Sequence, residues 1–495
     1  MTYPALRPLS GLLLALTISG TALAAEPAAH QTSNPYYVSG LTTLNKALAQ
    51  QPNTGKAKNV ILFIGDGMGI STVTAARIFA GQQAGHDGAS NSLAFEALPY
   101  LALSKTYSHD SLVTDSAPSA SAMLTGVKTK NGTIGVDGSV RLDDCNSLKT
   151  SKVMNLAELA KIAGRSTGAI TTTRITHATP ASTYAHTPYR DWEGDENMSA
   201  EAKAEGCIDI ARQLVDMPYG TTLDVAMGGG RSRFRPKDQG GARTDGRDLI
   251  KDWKNRAGPQ SAYVSTANEL AAIKPGQAHK ILGLFAEEHM PFEADRATQG
   301  QDKPTLVAMT VAAIDALATN PKGYFLLVEG GEIDMGSHAG NAYRTLTETV
   351  EFSKAVSAAL AKVDLKNTLI IVTADHSHGL VLSGYPSRAA PILGLADDAG
   401  SATREPVKGR DGKPYSILSF ATGPGGPQGD EERPDLSKVD TQDPQYRQQA
   451  TVPMVNAAHS GEDVAIFAGG PQAHLFHGVV EESYIFQVMR HALGL

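Results

Sequence analysis

The chain of 495 residues is 41% hydrophobic and 19% charged, with a formal net charge of -7. That length suits either several domains or one large α/β enzyme, and the acidic balance argues against a nucleic-acid partner, because phosphate backbones are held mainly by counterion release at basic surfaces. A small phosphorylated ligand stays allowed, since bound metal ions would supply local positive charge that the residue count does not show.

In chain order, Arg7, the apolar run Leu12 to Ile18 and the small residues around Ala24 come first, and read as a secretory signal peptide over residues 1–24. Such a leader predicts export, to the periplasm or outside the cell. The run is too short for a membrane span, and no later segment offers about 18 apolar residues in a row. Residues 25–56, polar and rich in Pro, Ala and Gln, read as an arm or linker. Residues 57–495 read as a single catalytic α/β domain.

Within it, the apolar run Val60 to Ile64 stops at Gly65, and the same form recurs in STGAITTTRITHATP (166–180), LDVAMGGG (223–230), GYFLLVEGGEID (323–334), NTLIIVTADHSH (367–378) and EDVAIFAGG (462–470). Continuous Val, Ile and Leu runs bounded by glycine predict strands buried on both faces. Helical stretches lie between them at 151–164, 200–216, 304–319, 342–363 and 481–493. The alternation predicts a mostly parallel central sheet with helices on both faces. Residues 382–456, rich in Gly, Pro and Asp, break this rhythm and read as an insertion at one end of the sheet. Cys145 and Cys207 are the only cysteines; in an exported chain an even pair reads as one disulfide, against the alternative of two unrelated buried thiols.

Ligands of open α/β sheets bind beyond the carboxyl ends of the strands. Here those ends carry Asp66; His177 and Thr179; Glu329, Asp334 and His338; and Asp375, His376 and His378, with His459 just before the last strand. Each motif alone has a bland reading: a GDG turn with an exposed Asp, a hydrogen-bonded structural His, a helix pair. Together they crowd like charges, which is costly unless cations neutralise them. Zinc takes His nitrogen and carboxylate oxygen, whereas magnesium prefers carboxylate, hydroxyl and water. The inventory fits two His/Asp sites and one Asp/Thr/Glu site. Two metals roughly 3.5–4 Å apart can clamp both oxygens of an in-line phosphoryl displacement, and Ser116, in SLVTDSAPSASAMLTG, offers a nucleophile. The small residues after it let a helix start there, with an N-terminus that favours phosphate.

The segments NVILFIGDGMG, VTDSAPSASAMLTGVKTKNG, HATPASTYAHTPYRDW, VEGGEIDMGSHAG, VTADHSH and HSGEDVAIFAGGPQAHLFHG resemble alkaline phosphatases in order and spacing, over almost the whole chain after the leader. The resemblance implies hydrolysis of small phosphate monoesters through a phosphoserine on Ser116, with Arg190 as the phosphate clamp. It implies two Zn2+ and one Mg2+: one zinc on Asp334, His338 and His459, the other on Asp66, Asp375 and His376 with Ser116, and magnesium on Asp66, Thr179 and Glu329. Asp115 is implied as an orienting acid, His177 as a neighbour of the magnesium, and His378 as support for the second zinc. His177, Trp192, the cysteine pair and the crown-like insertion resemble the animal enzymes more than the enterobacterial ones. Met335 stands where the family commonly has Lys, His or Trp, so a contact to phosphate through water is expected to be lost. Ala286 replaces a Glu of a peripheral site, so no fourth metal is expected. The family is usually dimeric, which implies a homodimer. The rivals are a phosphodiesterase of the same superfamily, a sulfatase, disfavoured by Ala120, and a non-catalytic exported binding protein.

Overall fold

In the computed structural model the described residues are 27–216, 223–296, 298, 302–400 and 402–495; the expected signal peptide lies outside them. The strands are β1 (Asn59–Gly65), β2 (Tyr100–Lys105), β3 (Ser166–Arg174), β4 (Val225–Gly229), β5 (Ser261–Val264), β6 (Lys280–Leu284), β7 (Tyr324–Gly330), β8 (Thr368–Thr373), β9 (Leu380–Leu382), β10 (Leu418–Gly423), β11 (Ala450–Pro453), β12 (Val464–Gly469) and β13 (Val479–Glu481). A 10-stranded sheet runs β13-β2-β12-β8-β1-β7-β3-β4-β6-β5. All neighbours in it pair in parallel except β12, which is antiparallel to both β2 and β8.

β7 and β8 are buried at every position and β1 at all but its first, as their unbroken apolar runs require of strands covered on both sides. Successive side chains point to opposite faces. Ile61 and Phe63 therefore join one core layer, under the helices Ile70–Gln83, Leu306–Leu317 and Ala342–Lys362. Val60, Leu62 and Ile64 join the other, under Ser116–Thr125, Leu156–Ile162, Ile210–Asp216 and Tyr484–Leu493. This is the expected mostly parallel α/β sheet with helices on both faces.

Several sequence expectations change in detail. The helix expected over 200–216 is two, Ala200–Ala204 and Ile210–Asp216, because Gly206 takes a φ of 88° that ends the first and the chain then turns through Cys207. The helix expected over 151–164 starts only at Leu156, where the Asn155 and Glu158 side chains cap each other's backbone N–H. Residues 35–49 of the expected linker are helical, started by Asn34 accepting from the Tyr36 N–H. Within 382–456, β10 pairs antiparallel with β9 and parallel with β11 in a separate three-stranded sheet. Among the described residues no helix is long and apolar enough to cross a membrane.

Cys145 and Cys207 form the disulfide, across a sequence separation of 62. Closing a loop of that length removes denatured-state entropy worth about 4 kcal/mol. Cys207→Ser paired with Cys145→Ser is expected to cost about 2–4 kcal/mol in urea unfolding. A midpoint unchanged from the native protein would show that the bridge contributes nothing to equilibrium stability.

Candidate active site

The strands whose carboxyl ends carry the acids and imidazoles are the adjacent parallel set β8-β1-β7-β3. Register places Ile64 beside Glu329 and Thr373, and Glu329 beside Thr171. Because β12 runs antiparallel, its start lies at the same edge as the ends of the others. That is why His459 precedes its strand while Asp66, Asp375 and His376 follow theirs and Glu329 is the penultimate residue of β7. A bridge between Ser377 and Ser460 ties the two loops together.

The GDG turn is tightly held. Gly67, at a φ of 67°, donates its N–H to Asp375 Oδ1 at 3.0 Å, and a Cβ there would come within 2.7 Å of His378. Only glycine fits both constraints.

Three groups of side chains converge on this edge. Asp66, Asp375 and His376 meet first, with His376 Nε2 3.4 Å from Asp66 and 3.3 Å from Asp375. Ser116 Oγ lies 3.1 Å from His376 Nε2 and 3.4 Å from each Asp66 oxygen. Second, Asp334 contacts His338 Nε2 at 3.2 Å and His459 Nε2 at 3.6 Å, and these two nitrogens are 3.3 Å apart. Each of these rings turns Nδ1 to a backbone carbonyl, Ala457 at 2.7 Å for His338 and Thr114 at 2.9 Å for His459, which leaves Nε2 free to face a metal. His378 also bonds Asp334. Third, Glu329 lies with Asp66 and His177. Its Oε2 accepts from Thr171 and from Thr173, the latter at 3.1 Å. Those threonines alternate along β3, a spacing that puts both on one strand face and that the sequence reading overlooked.

Ser116 opens the helix Ser116–Thr125, every residue of which is buried. Asp115 caps it, its Oδ1 accepting from the Ala117 N–H at 2.7 Å, while Oδ2 accepts from the Gly132 N–H at 2.5 Å. Arg190 Nη1 donates to Asp115 at 2.9 Å, and Nη2 lies 2.9 Å from His177 Nε2. One carboxylate thus fixes the helix start, the loop at Gly132 and the guanidinium. Ser119 and Ser121 are packed inside the helix interface; Ser121 accepts from the Gly135 N–H.

The electrostatics are severe. Burial, reinforced by Asp375, Asp334 and Glu329, pushes the Asp66 carboxyl well up, and burial raises Glu329 to about 7 and Asp375 to about 6. Burial also opposes ionisation of Asp334, yet the His378 and His338 imidazoles beside it hold its carboxyl well below the usual range. Burial lowers His376 and His177 far below an ordinary imidazole, with His459 and Arg190 respectively adding to the effect. A neutral His177 can accept the Arg190 N–H. Arg190 is itself held charged, since Asp115 outweighs its burial.

Thr179 Oγ1, Glu329 Oε1 and Asp375 Oδ2 are buried without a hydrogen-bond partner. Buried polar atoms are nearly always satisfied, and acceptors gathered around two neutral imidazoles are the donor set that divalent cations use. The residues therefore fit metal ions, in clusters of Asp334, His376, His378 and His459, of Asp66, Asp375 and His376, and of Asp66, His177 and Glu329. His338 joins the first through Asp334. Met335 follows Asp334 on the helix Glu332–His338 and lines a cavity next to His338. Glu332 and His289, absent from the sequence reading, line the same cavity, and their side chains approach to 3.5 Å. A lone acid and a lone His 43 positions apart gave no signal of this meeting.

The alkaline phosphatase family model matches residues 57–495. The rat tissue-nonspecific isozyme of alkaline phosphatase is 43% identical over 464 residues, covering 91% of this chain and 86% of the rat protein. The Atlantic cod (Gadus morhua) alkaline phosphatase is 42% identical, covering 91% and 94%. Among solved structures, Thermus thermophilus alkaline phosphatase superposes with a TM-score of 0.63 at 26% identity, covering 95% of this chain and 96% of that one. A His-to-Asp variant of the TAB5 alkaline phosphatase with Mg bound in its M3 site gives 0.62 at 26% identity, covering 90% and 99%. With Ser116 at a capped helix start, Arg190 and metal-fitting clusters gathered at one sheet edge, and with this likeness running over residues 57–495, the chain belongs to the alkaline phosphatase family.

Proposed function

We propose that this metal-dependent phosphate monoester hydrolase works through a phosphoserine on Ser116, with two Zn2+ and one Mg2+ at the sheet edge. Asp334, His338 and His459 would hold one zinc; Asp66, Asp375 and His376, with Ser116, the other; and Asp66, Thr179 and Glu329 the magnesium. The observation that carries this reading is Ser116 Oγ, at a capped helix start, within 3.1 Å of His376 and 3.4 Å of Asp66. The unpaired Thr179 and Glu329 oxygens support the magnesium assignment.

Bound there, the ions supply positive charge for the oxygens entering and leaving phosphorus. The side chains do the rest. Ser116 gives up its proton to solvent as its Oγ attacks phosphorus from the Asp66 and His376 side, and the ester oxygen departs in line, toward His338 and His459, taking up a proton from water as the alcohol. Arg190 holds two equatorial oxygens with its planar fork. Water enters along the path the alcohol left and breaks the phosphoserine bond, releasing inorganic phosphate and restoring the hydroxyl. Positioning and charge stabilisation are most of what phosphoryl transfer asks of a protein.

The Arg190 clamp suits a terminal phosphate. Steady-state kinetics on 4-nitrophenyl phosphate and bis(4-nitrophenyl) phosphate are expected to favour the monoester by at least about a hundredfold in kcat/KM, the scale of one fully used charged contact. A preference for the diester would overturn the reading. Asp115→Ala removes the cap and frees Arg190 together. It is expected to raise KM about tenfold with a smaller change in kcat, and to lower stability by about 1 kcal/mol. A kcat loss at unchanged KM would assign Asp115 to the chemical step instead.

The leader-like N-terminus and the disulfide support export to the periplasm or the exterior. Exposed Tyr385, Val452, Met454 and Val455 on and beside the three-stranded sheet support a homodimer built on that face. Sedimentation at the mass of one chain would exclude it.

A further inference from the structure

A cavity of about 500 Å3 opens beside His338. Its walls come mainly from two places, the loop carrying His289, Met290 and Phe292 and the helix Glu332–His338, which presents Glu332, Met335 and His338, with Asn456 added from a third segment. Residues 332, 335 and 338 are three apart, so they share one helix face. The apolar share of the wall is Met290, Pro291, Phe292, Met335 and Ala339. Asp295, also at this wall, is paired with Arg344 at 2.7 Å, and the Arg344 guanidinium lies 4.8 Å over the Phe292 ring. Deeper in, Glu332 Oε1 and His289 Nδ1 are buried and lack a hydrogen bond, though 3.5 Å apart. Such atoms are rare unless a ligand or water completes them.

The position of the cavity gives it a role that rests on the in-line reading above. Displacement at phosphorus sends the leaving oxygen away from Ser116, and His338 stands on that side. Whatever carbon skeleton the oxygen carries must then lie next to His338. We propose that this cavity receives the alcohol half of the monoester and selects a leaving group with an aryl or bulky alkyl body and a hydroxyl or amine that bonds Glu332 and His289. Met335 thereby becomes a wall for the alcohol, and Phe292 the ring against which it packs.

Three esters test this: ethyl phosphate, phenyl phosphate and 4-(hydroxymethyl)phenyl phosphate, the last two having leaving groups of nearly equal acidity. Phe292→Ala is expected to lower kcat/KM about tenfold on both aryl esters and less than about twofold on ethyl phosphate. Phe292→Leu, which keeps bulk under Arg344 should the alanine variant misfold, is expected to show the same selectivity at smaller size. His289→Phe is expected to remove an advantage of about tenfold for the hydroxymethyl ester over phenyl phosphate. Equal losses on all three esters, or none, overturn the cavity assignment. A native protein that hydrolyses none of the three overturns the monoester reading itself.

Discussion

Ser116→Ala is expected to abolish the acid-stable phosphoenzyme and to lower kcat/KM by at least about a thousandfold, while metal content stays near that of the native protein. The size follows from what the hydroxyl does. It is the atom that makes the new bond to phosphorus, so its loss leaves only direct attack by water. Metal content should survive because Asp66, Asp375 and His376 remain, held by the Gly67 N–H and by packing that does not involve the serine. The fold should survive as well, since Ser116 lies at the first turn and its cap comes from the Asp115 side chain. Rapid quenching with labelled phosphate and metal analysis on the same preparation separate the two outcomes. Label still incorporated into the Ser116→Ala protein at the native level would place the nucleophile outside this helix, because Ser119 and Ser121 are both packed away in the helix interface.

How much of this was legible in the sequence depends on how each residue announces itself. β1, β7 and β8 were readable because a strand covered on both faces must be apolar throughout, and because each ends in residues that have no packing reason to be there: Asp66, Glu329, Asp375 and His376. β5 and β6 were not readable. They lie at one side of the sheet, and Gly283 interrupts the apolar run of β6, where any Cβ would meet Phe285 and Met227. β2 escaped notice for another reason: it is only partly buried and pairs with the antiparallel β12, so it lacks the continuous apolar run of the central strands. The site divides the same way. Asp115 was legible as an orienting acid from its place before Ser116, but its bond to the Gly132 N–H was not, since it joins positions 17 apart across the helix Ser116–Thr125 and the loop after it. Glu332 and His289 required the folded chain, because nothing local distinguishes them from solvent-facing residues.

Stripping the metals with a chelator is expected to reduce activity to background and, more tellingly, to steepen the fall of stability with rising pH. In the stripped protein, burial keeps Asp66 protonated to well above its usual value, Glu329 to about 7, and Glu348, buried behind the site, to about 8. The unfolded chain has released those protons already, near the ordinary values of 3.8 and 4.5. The folded state then holds more protons than the unfolded one, so stability falls as pH rises. Below pH 6.5 the buried neutral His376 and His177 act in the opposite direction, because the unfolded chain takes up protons that they refuse. Above it they are silent, and the raised carboxyls decide the slope together with His338, whose burial is outweighed by Asp334 so that it too keeps its proton longer in the folded state. Between about pH 6.5 and 8 the stripped protein is therefore expected to lose on the order of 2 kcal/mol. With Zn2+ and Mg2+ restored, Asp66 and Glu329 are ionised and neutralised by the ions, so their part of the loss should disappear, while Glu348, which holds no metal, still titrates and leaves a shallower slope. Urea unfolding at pH 6.5, 7.2 and 8.0, with and without metal, reads the difference directly. A stripped protein whose stability is constant or rises over this range would mean that its acids are satisfied by the protein alone, and the assignment of metals to Asp66 and Glu329 would lose its physical basis.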